Sequence, residues 1–205
     1  MLEEVTMFKS ELDKDKGSAE ITRRSFLLRS AAASASMIAW PLGKSNMALA
    51  ISKESPQVVT IVQFSDTGKR IKRVQVPKVI KTEREWRNQL SPSAFAITRQ
   101  ANTEIAYTGT YWNLHKKGLY RCICCEGALF SSDTKFDSGT GWPSFWAPMA
   151  PENVRTARDT SLGTIRTAVS CTECDAHLGH VFGDGPEPTH LRYCINSEAL
   201  RFIAG

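Results

Sequence analysis

The chain predicts a mainly β fold, with antiparallel sheets forming a small barrel-like core and short helices confined to the N-terminal side. Three observations predict it. Beyond Gly118, short apolar runs are separated by Gly, Pro, Ser and Asp at a spacing that suits antiparallel strands. Upstream, two strand-like runs flank a turn signal. The spacing C-x-x-C also occurs twice, at Cys122/Cys125 and Cys171/Cys174, which suits a metal staple on separate hairpins.

Taken in order, residues 1–20 are polar and charged, without the apolar content of a packed core. Val58–Phe64 and Ile71–Val76 read as strands joined through Asp66-Thr67-Gly68, a hairpin. Thr82-Glu83-Arg84-Glu85 has capping-box form and opens a short helix bearing Trp86 and Leu90. Ser91-Pro92 is a second start signal, with Pro at the first helical position, followed by Phe95 and Ile97. Leu119–Arg121, Ala128–Phe130, Thr164–Val169, His180–Phe182 and Leu191–Ile195 read as strands.

At 205 residues the chain holds one domain plus an appendage, and 41% hydrophobic with 23% charged residues is ordinary for a globular protein. Net charge is +5, with Lys and Arg spread among Asp and Glu. That balance shows no basic stripe and points away from nucleic acid as a partner. No run reads as a permanent membrane span. Arg23-Arg24 before a mild Ala/Ser-rich apolar stretch, ending at Ala48-Leu49-Ala50, resembles a twin-arginine export signal of a bacterium. The expected organisation is a signal region over 1–50, a hairpin and linker over 51–81, and a main domain over 82–203. The expected location is the periplasm. A signal of this kind moves folded protein, so a metal site could be filled before export.

Zinc takes thiolates in a tetrahedron, and two residues between cysteines let one tight turn present both sulfurs to one ion. Cys122, Cys125, Cys171 and Cys174 therefore read as one structural Zn²⁺ site, since four sulfurs leave no open position for a substrate. Cys124 adds a spare thiol beside the first pair.

Cys194 stands apart from these five. In a strand-like run, Arg192, Cys194 and Asn196 alternate onto one face. A cationic neighbour favours the nucleophilic thiolate. His177 and His180 are three apart and reach the same pocket if their loop folds over it, where imidazole can donate a proton to a leaving oxygen. A lone cysteine is more often an inert buried residue than a nucleophile; the clustering of these groups within 20 residues is what raises the odds. Gly139-Thr140-Gly141-Trp142-Pro143-Ser144-Phe145-Trp146 combines glycine bends with aromatic rings around a proline. Such a segment is either a core turn or an apolar wall for a methyl thioether, a sulfur–aromatic contact of about 0.3–1.5 kcal/mol.

Tyr107 to Trp112, Tyr120 to Cys125, Phe136 to Phe145, His177 to Phe182 and Leu191 to Asn196 together resemble the peptide-methionine (R)-S-oxide reductases, the B-type methionine sulfoxide reductases. The resemblance runs from about Thr82 to Phe202. It implies reduction of the R epimer of methionine sulfoxide, in proteins and with the free amino acid as a second substrate, by attack of Cys194 on the sulfoxide sulfur. His177 and His180 would bond or protonate the sulfoxide oxygen, Trp142 and Phe182 would line the substrate site, and Arg192 and Asn196 would support the cysteine. The products are a thioether and a sulfenic acid on Cys194. The resemblance also implies a structural zinc away from the site, oxidised protein substrates, and thioredoxin or another thiol as reductant.

This chain departs from many relatives at Thr140, where a resolving cysteine often stands. Direct reduction of the sulfenic acid by an external thiol is therefore expected, with Cys124 as the lesser alternative. Glu126 and His190 also stand where glycine is common. Two other classes compete. A zinc-ribbon binding module would leave Cys194 and the Trp142 segment idle, and a dithiol oxidoreductase needs a βαβ context missing around Cys122.

Overall fold

The computed structural model describes residues 55–161 and 163–205; the expected signal region lies outside them. The described chain opens with the hairpin β1 (Val58–Phe64) and β2 (Arg70–Pro77), then α1 (Glu83–Gln89) and α2 (Pro92–Gln100). Next come β3 (Gly118–Cys122), β4 (Ala128–Ser131), β5 (Lys135–Phe136), β6 (Ser144–Phe145) and β7 (Val154–Asp159). The last strands are β8 (Arg166–Cys171), β9 (His177–Phe182), β10 (Arg192–Ile195) and β11 (Leu200–Ala204). Every sheet is antiparallel. The hairpin stands as a pair, six strands run in the order β5-β6-β10-β9-β8-β7, and three run β11-β3-β4.

Local chemistry accounts for the ends of the elements. Gly68, at φ 76°, supplies the left-handed residue that the β1–β2 turn requires. Thr82 and Glu85 close a reciprocal capping box at α1, and the Ser91 hydroxyl accepts the Ala94 amide before Pro92 starts α2. α2 buries Ala94, Phe95, Ile97 and Thr98 against the sheets. Both helices also reach the cysteine turns: Gln89 Nε2 donates to the Cys124 carbonyl at 2.7 Å and Arg99 Nη1 to that of Cys174 at 2.8 Å.

The six- and three-stranded sheets share one core. Phe130 stacks on Phe145 at 4.5 Å between ring centres, and Tyr120 meets Phe145 edge-on at 5.0 Å. Val169, Leu178 and Ile195 complete it from the larger sheet. Alternation then dictates the opposite face. With Tyr193 and Ile195 turned to the core, Cys194 points away, beside its register partners Ser144 and His180.

Six of the seven expected strands shift at one end or both. Thr164–Val169 becomes Arg166–Cys171, because pairing with β7 begins at Asp159↔Arg166. Leu119–Arg121 gains a residue at each end. His180–Phe182 extends back to His177, so the two histidines lie on a strand rather than in a loop. A bulge makes this possible. Ser170 faces His177 and Val169 faces Gly179, so Leu178 is the extra residue. The insertion reverses the alternation, and His177 and His180 share one side of the sheet despite their odd spacing.

The hairpin is fastened by a side chain. Asn153 Oδ1 accepts the Val62 amide at 2.7 Å, while its Nδ2 donates to the carbonyls of Val62 at 2.8 Å and Ala128 at 2.7 Å. The hairpin also corrects the expectation of evenly spread charge: Lys69, Arg70, Lys72, Arg73, Lys78 and Lys81 follow one another without an acid between them. Acids from elsewhere answer part of that run, Glu152 for Arg73 and Asp175 for Lys78.

Candidate active site and metal centre

The four paired cysteines sit at the turns of two hairpins, β3–β4 and β8–β9, and the turns are copies of each other. The Cys122 amide donates to the Gly127 carbonyl at 2.8 Å and the Glu126 amide to that of Cys122 at 2.9 Å. In the second turn the Cys171 amide donates to Ala176 at 2.9 Å and the Asp175 amide to Cys171 at 3.0 Å. Each turn closes through a left-handed residue, Glu126 at φ 66° and Asp175 at φ 58°. His190 is left-handed too, at φ 56°. Glu126 and His190 thus occupy conformations that glycine adopts at no steric cost.

The four sulfurs lie within 4.8 Å of one another. Cys122 Sγ stands 3.6 Å from Cys174 Sγ, and Cys125 Sγ 3.5 Å from Cys171 Sγ. A tetrahedron with metal–sulfur bonds of about 2.3 Å has edges of about 3.8 Å. The donor set and its spacing fit one soft, four-coordinate metal ion. All six cysteines are free of disulfides. Cys124 is buried against the cysteine turns and Thr98 of α2, outside the ligand quartet.

The second site is a cleft of about 120 Å³ lined by Trp142, His180, Phe182, Cys194 and Asn196, together with Thr103, Gly179 and Arg166. Of the expected site residues, His177 and Arg192 border it rather than line it. The two histidine rings stand 5.4 Å apart, nearly perpendicular. Gly179 is required between them: a Cβ there would collide with the Cys194 carbonyl on β10.

Each side chain has a distinct environment. Burial pushes the Cys194 thiol up, opposed by the Arg192 charge and by hydrogen bonds from Thr140 and Arg192. Arg192 is held by Asp184, Nε to Oδ1 at 2.9 Å and Nη2 to Oδ2 at 2.8 Å, and lies 4.4 Å over the Phe182 ring. His177 is buried with Nε2 unpartnered, and burial, aided by His180, lowers it to about 4. His180 Nε2 meets Asp159 Oδ2 at 2.7 Å. Asn196 Nδ2 donates to the Leu178 carbonyl at 3.0 Å, and its Oδ1 accepts the Glu104 amide at 3.0 Å. Thr140 joins a hydroxyl chain, 2.8 Å from Ser138 Oγ, which is 2.7 Å from Ser144 Oγ.

Sequence reasoning missed Glu104, Asp159, Arg166 and Asp184. Glu104 ties the site together. Its carbonyl accepts Trp142 Nε1 at 3.1 Å, and its carboxylate accepts the amides of Ser197 at 2.7 Å and Glu198 at 3.1 Å. Nothing local marks Glu104, which acts on segments far along the chain; Asp159 and Arg166 pair across the β7–β8 turn and reach His180 only through the β8–β9 register. Asp184, eight residues before Arg192 across a Gly- and Pro-rich turn, could have been sought as its partner.

Fold and site together define a class: a small antiparallel β protein clamped by four thiols, with one cysteine in a histidine-lined cleft. Residues 90–204 match the SelR domain. A peptide methionine sulfoxide reductase MsrB of Synechococcus sp. (strain RCC307) is 58% identical over 121 residues, 59% of this chain and 89% of that protein. The protein of the same name from Herminiimonas arsenicoxydans is 56% identical over 127 residues, 62% of this chain and 93% of its own length. That from Thioalkalivibrio sulfidiphilus (strain HL-EbGR7) is 56% identical over 123 residues, 60% and 90% of the two chains. The chain belongs to the SelR domain family.

Proposed function

We propose that this chain reduces the R epimer of methionine sulfoxide in proteins, and the free amino acid as a second substrate. The observation that carries the reading is the convergence of Cys194, His180, Asn196, Trp142 and Phe182 on one cleft. The sulfoxide methyl packs on Trp142, whose indole is fixed by the Glu104 carbonyl. Cys194 attacks as thiolate, supported by Arg192 and Thr140. A proton reaches the sulfoxide oxygen from the histidine pair, the thioether leaves, and the oxygen remains on Cys194 as a sulfenic acid.

Recycling uses an external thiol such as thioredoxin. Thr140 occupies the position against Cys194 with a hydroxyl, which forms no disulfide, and Cys124 is buried at the cysteine turns. One reductant thiol displaces water from the sulfenic acid to give a mixed disulfide, and a second releases Cys194 as thiol. A Cys194–Cys124 disulfide found by mass spectrometry after one turnover would overturn this route.

Zn²⁺ is the ion proposed for Cys122, Cys125, Cys171 and Cys174, supported by the all-thiolate set and its tetrahedral spacing. When bound it supplies rigidity, tying two hairpins together. Export through the twin-arginine route is proposed from Arg23-Arg24 and Ala48-Leu49-Ala50, with residues 51–81 leading into the catalytic domain over 82–203. No helix among the described residues is long and apolar enough to cross a membrane.

The test is turnover of each methionine sulfoxide epimer with dithiothreitol, comparing wild type with Cys194→Ser. Turnover of the R epimer alone, lost in the variant, is expected. Folded, metal-loaded wild type that leaves the R epimer untouched would defeat the reading.

A further inference from the structure

The cleft face of the six-stranded sheet carries an ion pair that the proposed chemistry does not use. Asp159 ends β7, two strands away from β9, yet its Oδ2 lies 2.7 Å from His180 Nε2 and 2.6 Å from Arg166 Nη2. Its Oδ1 accepts the Ser161 amide at 2.9 Å. Register explains the reach. Ala157, Ala168 and His180 form one row across β7, β8 and β9. With only methyl groups in that row, the imidazole can lean across β8 to the carboxylate two residues past Ala157. The three side chains are 17%, 22% and 10% exposed for Asp159, Arg166 and His180, so water screens the cluster incompletely.

We propose that Asp159 is a positioning residue: it fixes the His180 imidazole with hydrogen on Nε2 and leaves Nδ1 as the nitrogen that serves the sulfoxide oxygen. Arg166 in turn holds the Asp159 carboxylate. The inference rests on the reductase reading for its kinetic part only. Nε2 is occupied by Asp159, so Nδ1 is the nitrogen that delivers the proton. The electrons balance: Cys194 Sγ gives up a pair and becomes the sulfenic sulfur, while the sulfoxide sulfur is reduced to thioether. The oxygen passes to Cys194 carrying the His180 proton. His177 cannot share this role equally, because it has no carboxylate partner and burial keeps it neutral. It is left as a neutral neighbour. The charged and titratable groups facing His180 are Asp159 from β7, Arg166 from β8, His177 from β9, and Cys194 and Arg192 from β10, the last already matched by Asp184.

Asp159→Asn keeps the shape and replaces the acceptor pair by an amide that can present the opposite polarity to Nε2. The expected result is a 10²- to 10³-fold fall in kcat with KM within threefold. Nitrogen NMR of the imidazoles should show His180 with hydrogen on Nε2 in the wild type and a changed tautomer in the variant. Asp159→Glu should restore part of kcat. A folded, metal-loaded Asp159→Asn variant with unchanged kcat would overturn the proposal, as would an unchanged His180 tautomer. If Asp159→Asn fails to fold, Asp159→Glu and the wild-type tautomer decide the matter. The NMR readout needs no substrate. Loss of the reductase reading would therefore show in the epimer assay, and loss of this one in the imidazole spectrum.

Discussion

Five cysteines gathered at the two hairpin turns and one in the cleft share a side chain and little else. At the turns, sulfur faces sulfur. Copied backbone turns bring four Sγ atoms to tetrahedral spacing, and helices brace the turns through carbonyls. In the cleft, Cys194 meets no other thiol. Its neighbours are a guanidinium, a hydroxyl and, across the register, an imidazole. A thiolate surrounded by thiolates calls for a cation and becomes scaffold. One surrounded by hydrogen-bond donors stays available to an electrophile. Neighbours, not the residue type, divide structure from chemistry.

Cys194→Ser should break the cleft alone. Turnover should fall by about 10⁴-fold or more, with metal content and melting temperature unchanged. Cys171→Ser should break the other side, with loss of metal and a drop of more than about 4 kcal/mol in urea denaturation, since metal binding is folding free energy in such sites. Chelation of the wild type should reproduce that loss and leave Cys194→Ser equally affected. Next comes acid. His177 is held to about 4 when folded, below its ordinary value near 6.5, so the unfolded chain binds more protons between those pH values. Its contribution is intact above pH ~6.5 and is lost as pH falls toward ~4, up to about 3 kcal/mol. Stability–pH curves of wild type and His177→Gln should differ by that window. The smallest effect is a gain. Glu126→Gly and His190→Gly should relieve left-handed strain by about 0.5–1 kcal/mol each. Each change also removes an exposed pair, Glu126 with Arg201 and His190 with Glu187, which trims the gain slightly.

The two regions were unequally legible in the sequence. C-x-x-C encodes a turn within six residues, so the ligand quartet could be read from spacing. Alternation put Arg192, Cys194 and Asn196 on one side for the same reason, and capping signals marked both helices. Only His180–Phe182 of the histidine strand is legible, because the bulge at Leu178 breaks the period of two and nothing local announces that His177 belongs to it. Asp159 and Arg166 reach His180 only through the register of three strands. Glu104 acts on segments 38 and 92 residues away, at Trp142 and Asn196. Short-range geometry can be read from one sequence; pairing between distant strands cannot.

The second cysteine turn runs without a break into β9: Cys174 is three residues before His177, and the Ala176 carbonyl closes the turn by accepting the Cys171 amide. An ion gripping that turn therefore acts as a mechanical anchor for the strand that carries both imidazoles. An ion held by the quartet would tie the upstream end of β9, which pairs with β8 and β10 along its length. Removing the ion should speed amide exchange at Leu178 and His180 before it reaches β10. The clamp and the chemistry, distinct in their thiols, share one taut length of backbone.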